Sequence, residues 1–345
     1  MKKTVIGIFL LVLLIGITAV VRCKTISSKV TSDANPAPTA AVQRLHPLAI
    51  EVMRSRSYPG SKIMIEETLS PGRNYERYLA SYLSDGLKIY ALMTVPQGEK
   101  PKDGWPVILF NHGYIPPEVY QTTERYVAYV DAFARNGYIV FKPDFRGNGN
   151  SEGEPEGTYY SPAYTVDDLN ALFSIKKYID ANPQKIGVWG HSMGGNIALR
   201  DLVVRPDDIK AVVIWAGVVG SYDDLINNWH RRVPYRPSGR ELSLRNRSRQ
   251  SIINQNGTPQ SNPAFWNALD PTFYVADIIA PVQLHHGTAD EEVPLSFSQM
   301  LFDKLKKNNK KVELYTYEGA DHNIAEPAFD LAMSRSLQFF DIYLK

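Results

Sequence analysis

The chain has 345 residues, a formal net charge of +2, 44% hydrophobic and 21% charged side chains. This is ordinary globular composition, and the basic residues are dispersed without an aromatic-rich basic stripe, which excludes a nucleic-acid-binding surface. A single cysteine excludes an internal disulfide framework and a cysteine-based metal site, while the length suits one large α/β domain with an insertion or two smaller domains.

Lys2 and Lys3 precede an apolar run from Val5 to Val21, broken only by glycine and Thr18 and closed by Arg22 and Lys24. At ~1.5 Å per residue such a run nearly spans a ~30 Å hydrocarbon core. Residues 1–23 therefore read as a signal-anchor or as a signal peptide cleaved after Ala19. A lipid-modified Cys23 is a third reading, against which Arg22 stands where a small residue is wanted. The lysines before the run favour a cytoplasmic N-terminus. The expected location is a membrane-anchored chain with an extracytoplasmic body, or a secreted one if the segment is removed. Residues 24–46 are rich in Ser, Thr, Ala, Asn and Pro and read as a flexible tether. The folded domain is expected over 47–345.

Tyr78–Leu83 and Leu87–Val95 flank Asp85-Gly86, a turn dipeptide, and predict an antiparallel hairpin. From Val107 strands alternate with helices. Val107–Phe110 is a strand ending in Asn111-His112-Gly113-Tyr114, and Glu124–Arg135 a helix. Tyr138–Lys142 is the next strand, followed by a glycine- and glutamate-rich loop and a helix over Thr165–Ala181. Ile186–Trp189, Ala211–Trp215, Val282–His285 and Val312–Tyr317 are further strands. Leu295–Lys307 and Ala325–Leu344 are helices. The pattern predicts an α/β fold, a mostly parallel doubly wound sheet with an N-terminal antiparallel hairpin and ligands at the strand carboxyl ends. Residues 217–277 break the alternation. They are long, polar and arginine-rich, and read as a lid-like insertion on the face where the strand ends open.

The stretch Gly190-His191-Ser192-Met193-Gly194 follows a strand and precedes a helix, which is the context of a nucleophile elbow. A serine on so sharp a turn needs neighbours without bulk, supplied by Gly190 and Gly194, and it opens at a helix start where free N–H groups face an oxyanion. Such a serine needs a base and an orienting carboxylate, expected in the order Ser, Asp, His. Asp290 follows the strand at Val282, and His322 follows the strand at Val312. Of the rivals, His191 adjoins the serine on a turn that points neighbours apart. His285 and His286 read as structural, Asp321 would have to fold back on His322, and Glu291 and Glu292 read as solvated. The oxyanion donors are expected to be the backbone N–H groups of Met193 and Tyr114. The seven histidines do not pair at ligand spacing and no glycine-rich phosphate fingerprint follows a strand. Neither a metal nor a cofactor is implied.

The stretches FNHGY, DFRGNGNSEG, GHSMGG, HHGTADEEVP and EGADHNI, in that order, resemble the α/β-hydrolase fold, and within it the catalytic domain of the prolyl oligopeptidase family. The resemblance covers about residues 75–345. It implies a serine hydrolase with Ser192 as nucleophile, Asp290 as orienting acid and His322 as base, acting through an acyl-enzyme. The family's peptidases carry a large N-terminal propeller, which the roughly 75 preceding residues do not accommodate. GHSMGG is shared with lipases and esterases. The expected substrate is a short peptide or a small-molecule ester, with a non-catalytic binding protein of this fold as the remaining reading.

Overall fold

A computed structural model describes residues 45–232 and 239–345. The anchor reading of residues 1–23 and nearly all of the tether at 24–46 lie outside the described residues. Among the described residues no helix is long and apolar enough to cross a membrane.

Among the described residues the sheet has nine strands. They are β1 (Met64–Leu69), β2 (Tyr75–Ser84), β3 (Leu87–Pro96), β4 (Trp105–Asn111), β5 (Ile139–Pro143), β6 (Ala181–His191), β7 (Ala211–Trp215), β8 (Val282–Gly287) and β9 (Val312–Tyr317). Their spatial order is β1-β2-β3-β5-β4-β6-β7-β8-β9. Strands β1, β2, β3 and β5 pair antiparallel, and from β5 and β4 onward every pairing is parallel. The expected hairpin is present with its turn at Asp85-Gly86, but it is not the sheet edge, since β1 pairs outside it. Strand β1 was not expected because its side chains are almost all exposed and give no apolar period.

Eight α-helices are described: α1 (Ile50–Ser55), α2 (Val127–Arg135), α3 (Ala163–Ile175), α4 (Met193–Val204), α5 (Gly239–Asn256), α6 (Pro263–Leu269), α7 (Leu295–Lys307) and α8 (Phe329–Leu344). The parallel strands are apolar throughout because both faces are covered. In β7, Val212 and Ile214 join the core shared with α3, α4 and α7, whereas Ala211, Val213 and Trp215 join the core shared with α2 and α8. Strand β4 divides the same way, Val107 and Leu109 to one side, Ile108 and Phe110 to the other. Burying each large apolar side chain contributes about 1.5–3 kcal/mol.

Several helix boundaries differ from expectation: the helix expected from Thr165 already starts at Ala163, and the closing helix expected from Ala325 starts at Phe329. The helix expected from Glu124 starts at Val127, because Arg125 and Tyr126 both adopt left-handed φ values of 55° and 54°. The helix expected to run to Ala181 stops at Ile175, and the chain turns so that Asp180 C=O accepts from Trp105 N–H at 2.7 Å. That bond draws Ala181 into the sheet as the first residue of β6.

Strand order reverses at β4, whose chain continues to β5 on one side while β6 lies on the other. Asn111 at the end of β4 pairs with Gly190 near the end of β6. The loops after these two strands therefore open into the same crevice, the position where open parallel sheets receive ligands.

Candidate active site

Ser192 occupies the turn between β6 and α4 with φ 54° and ψ −116°, a conformation L-residues rarely adopt. The turn is held from three sides. Ser192 N–H donates to Trp215 C=O, and Gly195 N–H and Val218 N–H donate to Ser192 C=O, each at 3.0 Å. Close packing dictates the two glycines. A Cβ on Gly190 would lie 2.4 Å from Gly194 O, and one on Gly194 would lie 1.9 Å from Asn111 O. Helix α4 begins at Met193, so the Met193 N–H is one of the helix's unsatisfied first-turn donors, beside the serine.

The loops after β8 and β9 bring Asp290 to His322. His322 Nδ1 donates to Asp290 Oδ2 at 2.7 Å, and the Asp290 side chain is fully buried. This bond leaves His322 Nε2 on the ring edge turned from Asp290. Asp290 Oδ1 accepts from Glu292 N–H at 2.8 Å and Val293 N–H at 2.9 Å. His286 also reaches it, with Nε2 at 3.2 Å from Oδ2. Burial alone would raise the Asp290 carboxyl, but the bonds from His286 and His322 outweigh it and hold the group well below the ordinary carboxylate range. Asp321 instead accepts from Asn323 N–H and Ala325 N–H, shaping the His322 loop.

His286, which the sequence marks as structural, holds the Asp290 loop. Its Nε2 bonds Val293 C=O at 3.0 Å, so that nitrogen carries the proton, and Nδ1 accepts from Ser298 at 2.8 Å. The ring thus steadies the Asp290 loop through Val293 C=O and the Asp290 carboxylate. Glu292, read as solvated, is half-buried and ion-paired with Arg231.

His191 makes contacts the sequence did not disclose. It is buried, its ring centroid 4.6 Å from that of His322. Its Nε2 lies 3.0 Å from His322 C=O and its Nδ1 2.7 Å from the Tyr126 hydroxyl, which accepts from Gly113 N–H at 2.8 Å. The carbonyl must accept, so Nε2 carries the proton, and the Tyr126 hydroxyl donates to Nδ1. Burial pushes the His191 pKa down to about 3, consistent with this neutral tautomer. Gly113, Tyr126, His191 and His322 form one chain of bonds joining the loop after β4 to the loop after β9. The Gly113 N–H is taken by Tyr126, and Tyr114 follows it on that loop.

A cavity of about 130 Å³ is lined by Ser192, Met193, His322 and Tyr114 together with Tyr159, Trp229, Arg231 and Arg245. The last three belong to the segment 217–277. Of the described part of that segment, Val218, Tyr222, Ile252, Trp266 and Leu269 are buried in the core, while most of α5 is exposed or half-buried. Among the described residues no cluster of three or more His, Cys, Asp or Glu side chains is arranged to hold a metal.

Residues 106–250 match the family described as serine aminopeptidase, S33, and residues 245–345 match the prolyl oligopeptidase family. An uncharacterised peptidase of Bacillus subtilis, YtmA, is 27% identical over 253 residues, 73% of this chain and 88% of its own. Among solved structures, the acylaminoacyl peptidase of Pyrococcus horikoshii superposes with a TM-score of 0.62 at 22% identity, over 79% of this chain and 42% of its own. An acetyl xylan esterase from Paenibacillus sp. R4 superposes with a TM-score of 0.62 at 18% identity, over 86% of this chain and 92% of its own. The chain spans less than half the length of such peptidase structures.

Proposed function

We propose that this chain, a serine hydrolase with the α/β-hydrolase fold, cleaves short acyl esters through a triad of Ser192, His322 and Asp290. The observation that carries the reading is the 2.7 Å bond from His322 Nδ1 to Asp290 in a loop pair that lines one cavity with Ser192. In this reading Ser192 Oγ attacks the acyl carbonyl and His322 Nε2 takes its proton. Asp290, kept ionised by its hydrogen bonds, holds the imidazole tautomer and stabilises the imidazolium. The N–H groups of Met193 and Tyr114 receive the oxyanion. His322 then protonates the leaving alcohol, and a water activated by His322 releases the acid from the acyl-enzyme.

The small cavity favours an ester of a small acid. A short-peptide substrate is the second reading, favoured by the match to YtmA, which is named a peptidase, along most of that protein's length. The N-terminal segment, read as a membrane anchor or cleaved signal, would place this activity outside the cytoplasm. Protease protection in sealed vesicles tests that placement: a body digested from the cytoplasmic side refutes it.

Ser192→Ala tests the chemistry. Hydrolysis of p-nitrophenyl acetate is expected to fall by about 10⁶-fold, as for loss of a triad nucleophile, with the melting temperature retained. Activity within tenfold of the parent overturns the assignment. A panel of aminoacyl-nitroanilides against acyl esters decides between the two substrate readings.

A further inference from the structure

The cavity at Ser192 measures about 130 Å³. An apolar cavity of about 150 Å³ holds one benzene molecule, so a single ring or a short chain fills this one. Whether that size matters depends on how firmly its wall is fixed. Trp229, in the segment between β7 and α5, forms part of the wall. Its indole N–H donates to Glu292 C=O at 2.8 Å. The ring meets Tyr159 edge-on at 5.7 Å and 81°, and packs against buried Phe297 of α7 at 6.3 Å.

The chain beyond Trp229 is fastened to the same loop. Arg232 N–H donates to Glu291 C=O at 2.9 Å, and the Arg231 guanidinium pairs with the Glu292 carboxylate. Glu292 N–H in turn donates to Asp290 Oδ1. The indole is thus tied to the loop that carries Asp290. Swinging it aside would break the bond from its N–H to Glu292 and the contacts to Tyr159 and Phe297. Arg231 and Glu292, which also line the cavity, are already paired with each other. A longer alkyl chain that reached that ion pair would desolvate it, a costly exchange.

We propose that Trp229 is a specificity-determining residue that limits the acyl group to a short chain or a single ring, so that the substrates are esters of small acids. The inference rests on Ser192 as the nucleophile.

The test is kcat/KM for p-nitrophenyl acetate, butyrate and octanoate with the parent protein, Trp229→Ala and Trp229→Phe. The leaving group is constant, so chain length reports the acyl side alone. The parent is expected to prefer butyrate over octanoate by more than about tenfold, the scale at which pockets discriminate by size. Trp229→Ala should raise the octanoate-to-acetate ratio by about tenfold or more, and Trp229→Phe, which keeps a ring in place, should leave the ratio near that of the parent. A parent that cleaves octanoate as readily as butyrate overturns the proposal, whether or not Trp229→Ala folds. So does a folded Trp229→Ala protein with an unchanged ratio, or a parent that labels with a fluorophosphonate yet cleaves none of the three esters. Hydrolysis that survives Ser192→Ala removes the nucleophile reading instead, and the acyl limit with it. Ser192-dependent hydrolysis without length preference removes only the limit.

Discussion

Replacing Tyr126 by phenylalanine deletes one oxygen from the bond chain that joins Gly113 to His322. Two buried groups lose their partner: the Gly113 N–H, 2.8 Å from the hydroxyl, and His191 Nδ1, 2.7 Å from it. Each orphaned buried group costs about 1–3 kcal/mol, so the variant should lose about 2–6 kcal/mol. Tyr126 borders the cavity, so a water admitted there would bring the loss toward the lower end of that range. A loss of this size is a large fraction of the total stability of a domain, about 5–15 kcal/mol. The catalytic effect should exceed what instability explains. The freed Gly113 amide would compete with the proposed oxyanion donor Tyr114, and His191 loses the bond that fixes its tautomer and, through its Nε2–H, the His322 carbonyl. Displacements of about 1 Å at such positions cost about 10²-fold. Urea unfolding of parent and variant gives the stability difference, and kcat and KM measured well below the unfolding midpoint give the catalytic one. The expected result is a lower midpoint with a kcat reduced by about 10- to 100-fold at nearly unchanged KM. An unchanged midpoint together with a kcat within twofold would refute the bond chain.

Asp290→Asn should lower kcat by about 10⁴-fold by analogy with known triads, because the amide favours the wrong imidazole tautomer; a rate within tenfold would assign the orienting role to another group. Gly194→Ala puts a Cβ 1.9 Å from the Asn111 backbone oxygen, and should cost more than about 100-fold in kcat by displacing the loop after β4, which bears Tyr114, one of the two proposed oxyanion donors; a fully active variant would show that the loop yields. The rings of His112, His191 and His285 are buried and their pKa values pushed down to about 3, chiefly by desolvation. Each therefore favours folding above its unfolded value of about 6.5 and gives that stability up as pH falls from there toward 3. Buried Asp144 and Asp168, raised to about 6 by burial, act in the opposite sense, so the whole-protein melting curve does not isolate the histidines. Imidazole proton resonances do: those three rings should hold neutral positions from pH 8 to pH 5, and a midpoint near 6.5 for any of them would contradict its placement.

The strands of the parallel sheet were legible because they are buried on both faces and read as unbroken apolar runs. Val312–Tyr317 and Ala211–Trp215 have the expected limits. Strand β1 was invisible for the converse reason, since an exposed edge strand with Glu66 and Glu67 carries no burial pattern. Helix α3 was drawn too long because Lys176, Lys177 and Tyr178 continue a helical pattern, while the bond from Trp105 N–H to Asp180 C=O that ends it is made by a distant strand.

At the site, chain order and the strand-end position singled out Ser192, Asp290 and His322. What order does not encode is contact through space. His191 was set aside because neighbours on a tight turn diverge, yet its ring packs on His322 from behind the turn. His286, at a strand end, reads as structural and is so, but its bond to Asp290 four residues on is set by the loop's fold and not by its sequence. Tyr126 belongs to the helix-start region after β4, and its left-handed backbone, which turns the ring toward Gly113, has no signature in the residue types around it. Glu292 looked solvated because its partner Arg231 is 61 residues away.

The account stands most directly on the reactivity of Ser192. Incubation with a fluorophosphonate followed by peptide mass spectrometry should place a single stoichiometric adduct on the Ser192 hydroxyl, abolished by Ser192→Ala and strongly slowed by Asp290→Asn. An unlabelled protein that is folded, or an adduct on a different residue, would contradict it.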